Sequence, residues 1–395
     1  MKELQSLVNQ YIKKRLYPGA EWKITHKEKV FQGKAGCLNL LTGEPLLSNS
    51  LYRIWSMTKP IVSVVILQLI EEHKIHLDDA ITDYLPQFSN LKVLKYNNSD
   101  ISNVVDIKNM PTIKDLLSHT AGFSYNFLGD AVAKEYDRVG LFHSSDTTLE
   151  EEINLLPTIP LLHQPSTEWV YSVSVDVLAR IIEIVTEESL QIQLEKRIFK
   201  PLGMQDTGFS VTPENLYRLM TSYEYDPLHK KLNEPSSSPQ QIGEYGHPTN
   251  ISTYARGGHG LFSSLEDYSK FAQMLLTGKT KTGTKIISDS MLKKATTNHL
   301  EPSFFPLEIR NFDVEVLEEN GLEPYGWGLG FRVMMDVEKA DNIGSVGEFG
   351  WAGAAATYFL VDPKNDLTAV LMTQVLGAEN TLNKNFVKTI YQNLN

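Results

Sequence analysis

The run Pro60-Ile61-Val62-Ser63-Val64-Val65-Ile66-Leu67-Gln68-Leu69-Ile70 constrains this chain more than any other feature. Pro60 suits the first turn of a helix, where its missing N–H would have no partner in any case. The residues after it are apolar on nearly every face, and a helix of that kind is buried on all sides. It needs a protein large enough to surround it. The chain has 395 residues, 42% hydrophobic and 22% charged, enough for one large or two intimately joined domains. The run is too short to span a bilayer, which takes roughly 20 residues.

The flanking segments suggest how the helix is enclosed. Leu4, Leu7, Val8, Tyr11 and Ile12 recur at helical spacing. Ala20–Thr25 and Val30–Gly36 flank the polar turn His26-Lys27-Glu28-Lys29 and read as a hairpin. Leu178–Leu194 reads as one helix and Leu265–Leu276 as another, while Pro235–Pro239 reads as a surface loop. Near the end, Ala356–Val361 and Leu367–Val375 read as antiparallel strands around Asp362-Pro363, before a last helix over Thr381–Leu394. Strands at both ends and helices between imply one sheet built from both termini. The expected fold class is α/β (α+β), an antiparallel sheet flanked by helices plus a helical domain. Residues 1–80 and 262–395 would form the α/β part, residues 81–261 the mainly helical part, with the active site between them.

Composition excludes several functions. The formal net charge is −11, and no basic stripe of the kind a nucleic-acid binder uses is present. The lone Cys37 allows neither an internal disulfide nor a thiolate metal site. His73 and His76 lack the spacing of a zinc motif, and Gly278–Gly283 has Thr284 where a phosphate-binding loop needs lysine. No Gly-x-Ser-x-Gly elbow occurs. The N-terminus has no apolar signal region. The expectation is a cytoplasmic protein with no cofactor or metal and with neither nucleic acid nor membrane as partner.

Chemistry enters at Ser56-x-x-Lys59, which opens the apolar run. Three residues apart on a helix, the two side chains share a face. A serine hydroxyl becomes a useful nucleophile once a neighbour takes its proton. A lysine in an apolar setting near a helix N-terminus has a lowered pKa and can be that neighbour.

Tyr52-Arg53-Ile54-Trp55-Ser56-Met57-Thr58-Lys59-Pro60 resembles the nucleophile segment of the serine β-lactamase and penicillin-binding protein superfamily. The resemblance is to the class C branch, and most of all to its carboxylesterase relatives, the family VIII esterases. Asp115–Phe123, Pro201–Met204, Gly258–Leu261, Glu266–Tyr268 and Tyr325–Phe331 are similar to further segments of that branch.

The resemblance implies Tyr171, in Tyr171-Ser172-Val173, as the tyrosine that relays the proton. Lys59 would supply the cation that lowers its pKa. Val173 stands where lactamases carry an asparagine that donates to the substrate's amide side chain, and valine cannot donate. For the third motif, Lys281-Thr282-Gly283 matches by letters but sits in a loop. Trp351-Ala352-Gly353 leads into the Ala356–Val361 strand and resembles the Trp-x-Gly variant of the esterases. On that alignment the N–H groups of Ser56 and Ala354 form the oxyanion hole. Trp351 replaces a lysine that helps hold substrate carboxylates, unless Arg53, Arg256 or Arg332 compensates. His119, in His-Thr-Ala-Gly, is expected to support a turn.

The expected activity is therefore a carboxylesterase on short-acyl esters, acting through an acyl-enzyme on Ser56. A β-lactamase or D-amino-acid peptidase acting on an amide, an acyltransferase, and a non-catalytic binding protein are the alternatives.

Overall fold

The structure is a computed structural model describing residues 1–97, 99–142, 147–233, 255–309, 322–378 and 381–394. The Pro235–Pro239 loop of the sequence reading lies outside the described residues.

The first helix, α1, spans Lys2–Lys13 and the hairpin is β1 (Gly19–His26) with β2 (Lys29–Gly36). The apolar run forms α2, Thr58–Glu71. Among the described residues seven strands make the main sheet, adding β3 (Tyr325–Trp327), β4 (Arg332–Met334), β5 (Phe349–Ala352), β6 (Tyr358–Asp362) and β7 (Leu367–Met372). Their order is β2-β1-β7-β6-β5-β4-β3, and every neighbouring pair is antiparallel. The N-terminal hairpin thus pairs with the last long strand, and the two ends of the chain share one sheet as the strand pattern implies.

Alternation along the strands sends successive side chains to opposite faces. In β6, Tyr358 and Leu360 join Leu4 and Val8 of α1 and Phe386 and Ile390 of the last helix, Thr381–Gln392. Phe359 and Val361 point the other way, into a core shared with α2 and with Phe271 and Leu275 of the helix Leu265–Thr277. The interior strand β7 is buried along its whole length. Ile61, Val62, Val64, Val65, Ile66, Leu67 and Leu69 of α2 have no exposed surface. Each such side chain contributes about 1.5–3 kcal/mol of hydrophobic stabilisation.

The strand expected over Ala356–Val361 starts at Tyr358, the last helix stops at Gln392, and two larger differences from the sequence reading follow. Leu178–Leu194 is not one helix. Ser174–Thr186 ends at Glu187 in the left-handed conformation (φ 56°), and Ser189 caps a new turn, Leu190–Leu194, by accepting the Ile192 N–H. The serine's ability to satisfy the backbone donors of a fresh N-terminus offers the chain this break. Also, Leu367–Val375 leaves the main sheet after Met372, and Val375–Leu376 pairs instead with Tyr223–Asp226. Between them Gln374 turns its amide onto Arg53, accepting from the Arg53 N–H at 3.2 Å and donating to its carbonyl at 2.9 Å.

No helix among the described residues is long and apolar enough to cross a membrane.

Candidate active site

Ser56 lies in a single tight turn, Trp55–Met57, between the short strand Leu51–Arg53 and α2. Trp55 holds a left-handed backbone (φ 49°), a costly conformation for a bulky residue and one that recurs at functional sites. It swings the chain from strand to helix. The turn is fixed from several sides. Ile54 N–H donates to Leu261 O (3.0 Å), Leu261 N–H donates to Thr58 Oγ1 (3.3 Å), and Tyr268 Oη donates to Met57 O (2.8 Å). Ser56 is half-buried, whereas Trp55, Met57, Thr58 and Lys59 are buried.

Lys59 is 1% exposed, and its Nζ lies 3.3 Å from Ser56 Oγ, 3.3 Å from Tyr125 Oη and 2.7 Å from Gly258 O. The carbonyl can only accept, while the two hydroxyls can accept or donate. An ammonium can donate to all three. A neutral amine can donate to Gly258 O and Tyr125 and accept the Ser56 proton without any side chain moving. Burial lowers the Lys59 pKa and the negative charge of Asp176 opposes that shift, so the neutral amine is accessible far below the ordinary lysine range.

Tyr171 precedes the helix Ser174–Thr186 and is 3% exposed. Its Oη accepts a 3.0 Å hydrogen bond from Trp351 Nε1 and is hydrogen-bonded to Ser56. The Lys59 Nζ sits 4.7 Å from the centre of its ring. Here one expectation fails. Lys59 does not pull the phenol down. Burial raises the Tyr171 pKa well above its usual value, against the lowering effect of the Ser56 and Trp351 hydrogen bonds. Tyr171 is a protonated phenol, and Lys59 is the group whose proton is loosened.

Trp351 sits on β5, opposite Phe359. At the end of that strand, Gly353 approaches the Ser56 segment so closely that an added Cβ would stand 2.5 Å from Ile54 O and 2.2 Å from Thr357 Oγ1. Only glycine lets the strand end meet that segment. Gly353 N–H is occupied by Thr357 O (2.8 Å), and Ala354 follows in an exposed turn. Lys281-Thr282-Gly283 is exposed, in a loop after the helix Leu265–Thr277, and takes no part.

Ser172 and Val173 are buried behind Tyr171. Ser172 N–H donates to His119 Nδ1 (3.2 Å), and its hydroxyl lies 3.3 Å from that nitrogen and 2.8 Å from Ser174 Oγ. Its polar atoms therefore hold the Tyr171 loop. His119 closes the helix Ile113–Ser118 in a left-handed conformation, as its turn role requires, and its ring packs 4.8 Å from that of Tyr171. Burial, then the Lys59 charge, keeps it well below the ordinary histidine range, hence neutral. The three arginines are engaged elsewhere. Arg53 lies over the Phe262 ring, Arg256 pairs with Glu152 (2.7 Å), and Arg332 stacks on Tyr325 and reaches Tyr358 Oη (2.8 Å).

Sequence reasoning missed Tyr125, Gly258 and Asp176. Gly258 belonged to a recognised segment but carried no assigned role. Tyr125 and Asp176 carry no motif, because their partners lie 66 residues and 82 residues away in the chain.

A central antiparallel sheet, a Ser-x-x-Lys pair where a turn enters a buried helix, and a tyrosine facing both residues define a β-lactamase/transpeptidase-like protein. The family model described as Beta-lactamase matches residues 4–389, and the chain belongs to that family. Among curated relatives, Esterase EstB of Burkholderia gladioli is 26% identical over 384 residues, 94% of this chain and 89% of its own length. Lovastatin esterase of Penicillium rubens is 30% identical over 351 residues, 86% and 84%. Among solved structures, EstCE1, a hydrolase with promiscuous acyltransferase activity, superposes with a TM-score of 0.80 at 23% identity over 99% of this chain and 98% of that one.

Proposed function

We propose that this protein is a carboxylesterase that cleaves short-acyl, uncharged esters through an acyl-enzyme on Ser56. The observation that carries the substrate class is the Trp351–Tyr171 hydrogen bond. It holds the Trp351 indole beside Tyr171, and on the resemblance to the esterases that indole replaces a carboxylate-binding lysine and offers an apolar wall to the substrate. Arg256 and Arg332 are committed to their own partners, and Val173 has no donor to offer an amide side chain. The relatives named as esterases support the same reading.

In this mechanism Ser56 Oγ bonds to the acyl carbon while its proton passes to the neutral Lys59 amine. The backbone N–H groups of Ser56 and Ala354 receive the oxyanion, each donor contributing about 2.7–4 kcal/mol to such a transition state. Collapse breaks the bond to the alcohol oxygen, which takes its proton from Lys59 by way of Tyr171. Water then attacks the acyl carbon, its proton returns through the same groups, and the acid leaves with Ser56 restored. The cleft lies between the part formed by residues 1–80 and 262–395 and the part formed by 81–261.

The test is hydrolysis of p-nitrophenyl butyrate and of a chromogenic cephalosporin, side by side, by wild type and Ser56→Ala. Ester turnover that disappears in the variant, with little cephalosporin turnover, is the expected result. Dominant cephalosporin turnover would overturn the substrate assignment, and ester turnover that survives Ser56→Ala would overturn the nucleophile.

A further inference from the structure

Asp176 is a fully buried carboxylate that the mechanism above does not use. It lies in the first turn of the helix Ser174–Thr186, where a negative charge is favoured by the helix dipole. Its Oδ1 accepts the Gly258 N–H at 2.9 Å, and its Oδ2 has no hydrogen-bond partner among the described residues. The Gly258 carbonyl accepts the 2.7 Å bond from Lys59. A single glycine thus stands between the carboxylate and the amine, one bonded to its N–H and the other to its C=O.

The close approach is built into the sequence. A Cβ on Gly257 would lie 2.2 Å from Val175 O, and one on Gly258 would lie 2.4 Å from Asp176 Oδ2 and 2.6 Å from Tyr125 Oη. Any side chain there would push the segment off the helix and off Lys59. The glycine pair exists, on this view, to bring a carboxylate and an amine to the two ends of one residue.

Around them the charges alternate. Lys59 feels Asp176; Asp176 in turn feels Arg256; and Arg256, 1% exposed, is paired with Glu152, 2% exposed, at 2.7 Å. The other titratable groups at Lys59 are Tyr125, Tyr171 and His119, with His259 Nδ1 3.5 Å beyond Tyr125 Oη. Burial raises the Asp176 carboxyl to about 6 while Lys59 opposes that rise; with Lys59 protonated and Asp176 ionised, the four buried charges sum to zero. With Lys59 neutral, one negative charge is left uncompensated. Burial drives Lys59 to lose its proton while Asp176 drives it to keep one.

The geometry points to Asp176 as a positioning residue for the reaction: through the Gly258 residue it orients Lys59, and its charge stabilises the ammonium that forms when Lys59 takes the Ser56 proton. This rests on the Ser56 and Lys59 roles proposed above. It gives the pair a third member, much as a carboxylate behind a histidine holds the imidazolium of a catalytic triad.

The experiment measures kcat/KM for p-nitrophenyl butyrate, and the rate of Ser56 labelling by a fluorophosphonate, against pH for wild type, Asp176→Asn and Glu152→Gln. Thermal midpoints are recorded for each. Asparagine keeps the acceptor for the Gly258 N–H and removes the charge. The acid limb of the profile should move to lower pH, because Lys59 then loses its proton more readily. The plateau should fall by roughly ten- to a hundredfold, because the base is weaker. Glu152→Gln, at the far end of the charge row, should move the limb in the same direction by less, and it carries the test if Asp176→Asn does not fold. A reduced plateau with an unmoved acid limb in both variants, or a limb that moves up, would overturn the proposal. Wild type that neither hydrolyses the ester nor takes the label would overturn the Ser56 assignment itself, a result distinct from any behaviour of the variants.

Discussion

The Trp351 indole donates a 3.0 Å hydrogen bond to the Tyr171 phenol oxygen, joining strand β5 to the loop that carries the tyrosine across 180 residues of sequence. The bond fixes the phenol against Ser56, and in the proposed mechanism it supplies a donor to that oxygen whenever its own proton is in transit. Trp351→Phe keeps the apolar wall and deletes the donor. One neutral hydrogen bond contributes about 0.5–1.5 kcal/mol, so kcat for p-nitrophenyl butyrate should fall roughly three- to tenfold with a smaller change in KM. Steady-state kinetics of the purified variant would show it, and an unchanged kcat would remove Trp351 from the proton path.

The lowered pKa of Lys59 sets a pH dependence. As the base of the proposed mechanism the amine acts only when neutral, so kcat/KM should rise with pH and reach its plateau below the ordinary lysine range, since burial has brought the group down. Tyr171 is shifted up and stays protonated across that rise. The profile reports the interacting groups together. Lys59→Arg keeps a positive charge that arginine does not give up, and activity should drop roughly a hundredfold to ten-thousandfold at every pH. A Lys59→Arg enzyme that recovers at high pH would show that another group is the base.

Gly353→Ala places a methyl group 2.5 Å from the Ile54 carbonyl and 2.2 Å from Thr357 Oγ1. The backbone oxygen cannot yield as a flexible side chain can, so the turn after β5 must lift from the Ser56 segment. We expect a loss of about 1–3 kcal/mol in stability, typical of overpacking, together with at least a tenfold loss of ester hydrolysis. Denaturant unfolding and the p-nitrophenyl assay measure the two effects. Intact activity would detach the Gly353–Ala354 turn from the oxyanion site.

A second buried cluster gives stability a pH dependence remote from the reaction. Glu348, the residue before β5, is fully buried, accepts from Tyr391 Oη at 2.7 Å, and lies 3.7 Å from Arg332. Burial pushes its carboxyl up to about 7, against the opposing effects of Arg332 and Tyr391. Between the unfolded carboxylate value and about 7 the folded protein holds more protons than the unfolded chain, so stability falls as pH rises through that window. Glu348→Gln removes the titration. Thermal melts from about pH 5 to about pH 8 should show wild type losing stability relative to the variant, and parallel curves would contradict the assignment.

Much of this protein was determined by local sequence. Pro60 and the apolar residues after it dictate a helix and its burial on all sides. The polar turn at His26–Lys29 and the alternation along Ala356–Val361 dictate strands, and Ser56-x-x-Lys59 places a hydroxyl and an amine within reach of each other, because all of these depend on spacings of a few residues. Where a local competitor existed, as at Ser189 within Leu178–Leu194, periodicity alone misjudged the element. Tertiary structure decided everything that depends on burial and on partners far along the chain. It raised the Tyr171 phenol where sequence suggested lowering, because desolvation outweighs the hydrogen bonds with Ser56 and Trp351. It took Arg256 and Arg332 out of contention, because each meets its own acidic or aromatic partner. It also brought Tyr125, Gly258 and Asp176 to Lys59, because a proton's free energy in a buried site is set by the charges and dipoles the fold packs around it, and no run of consecutive residues encodes those distances.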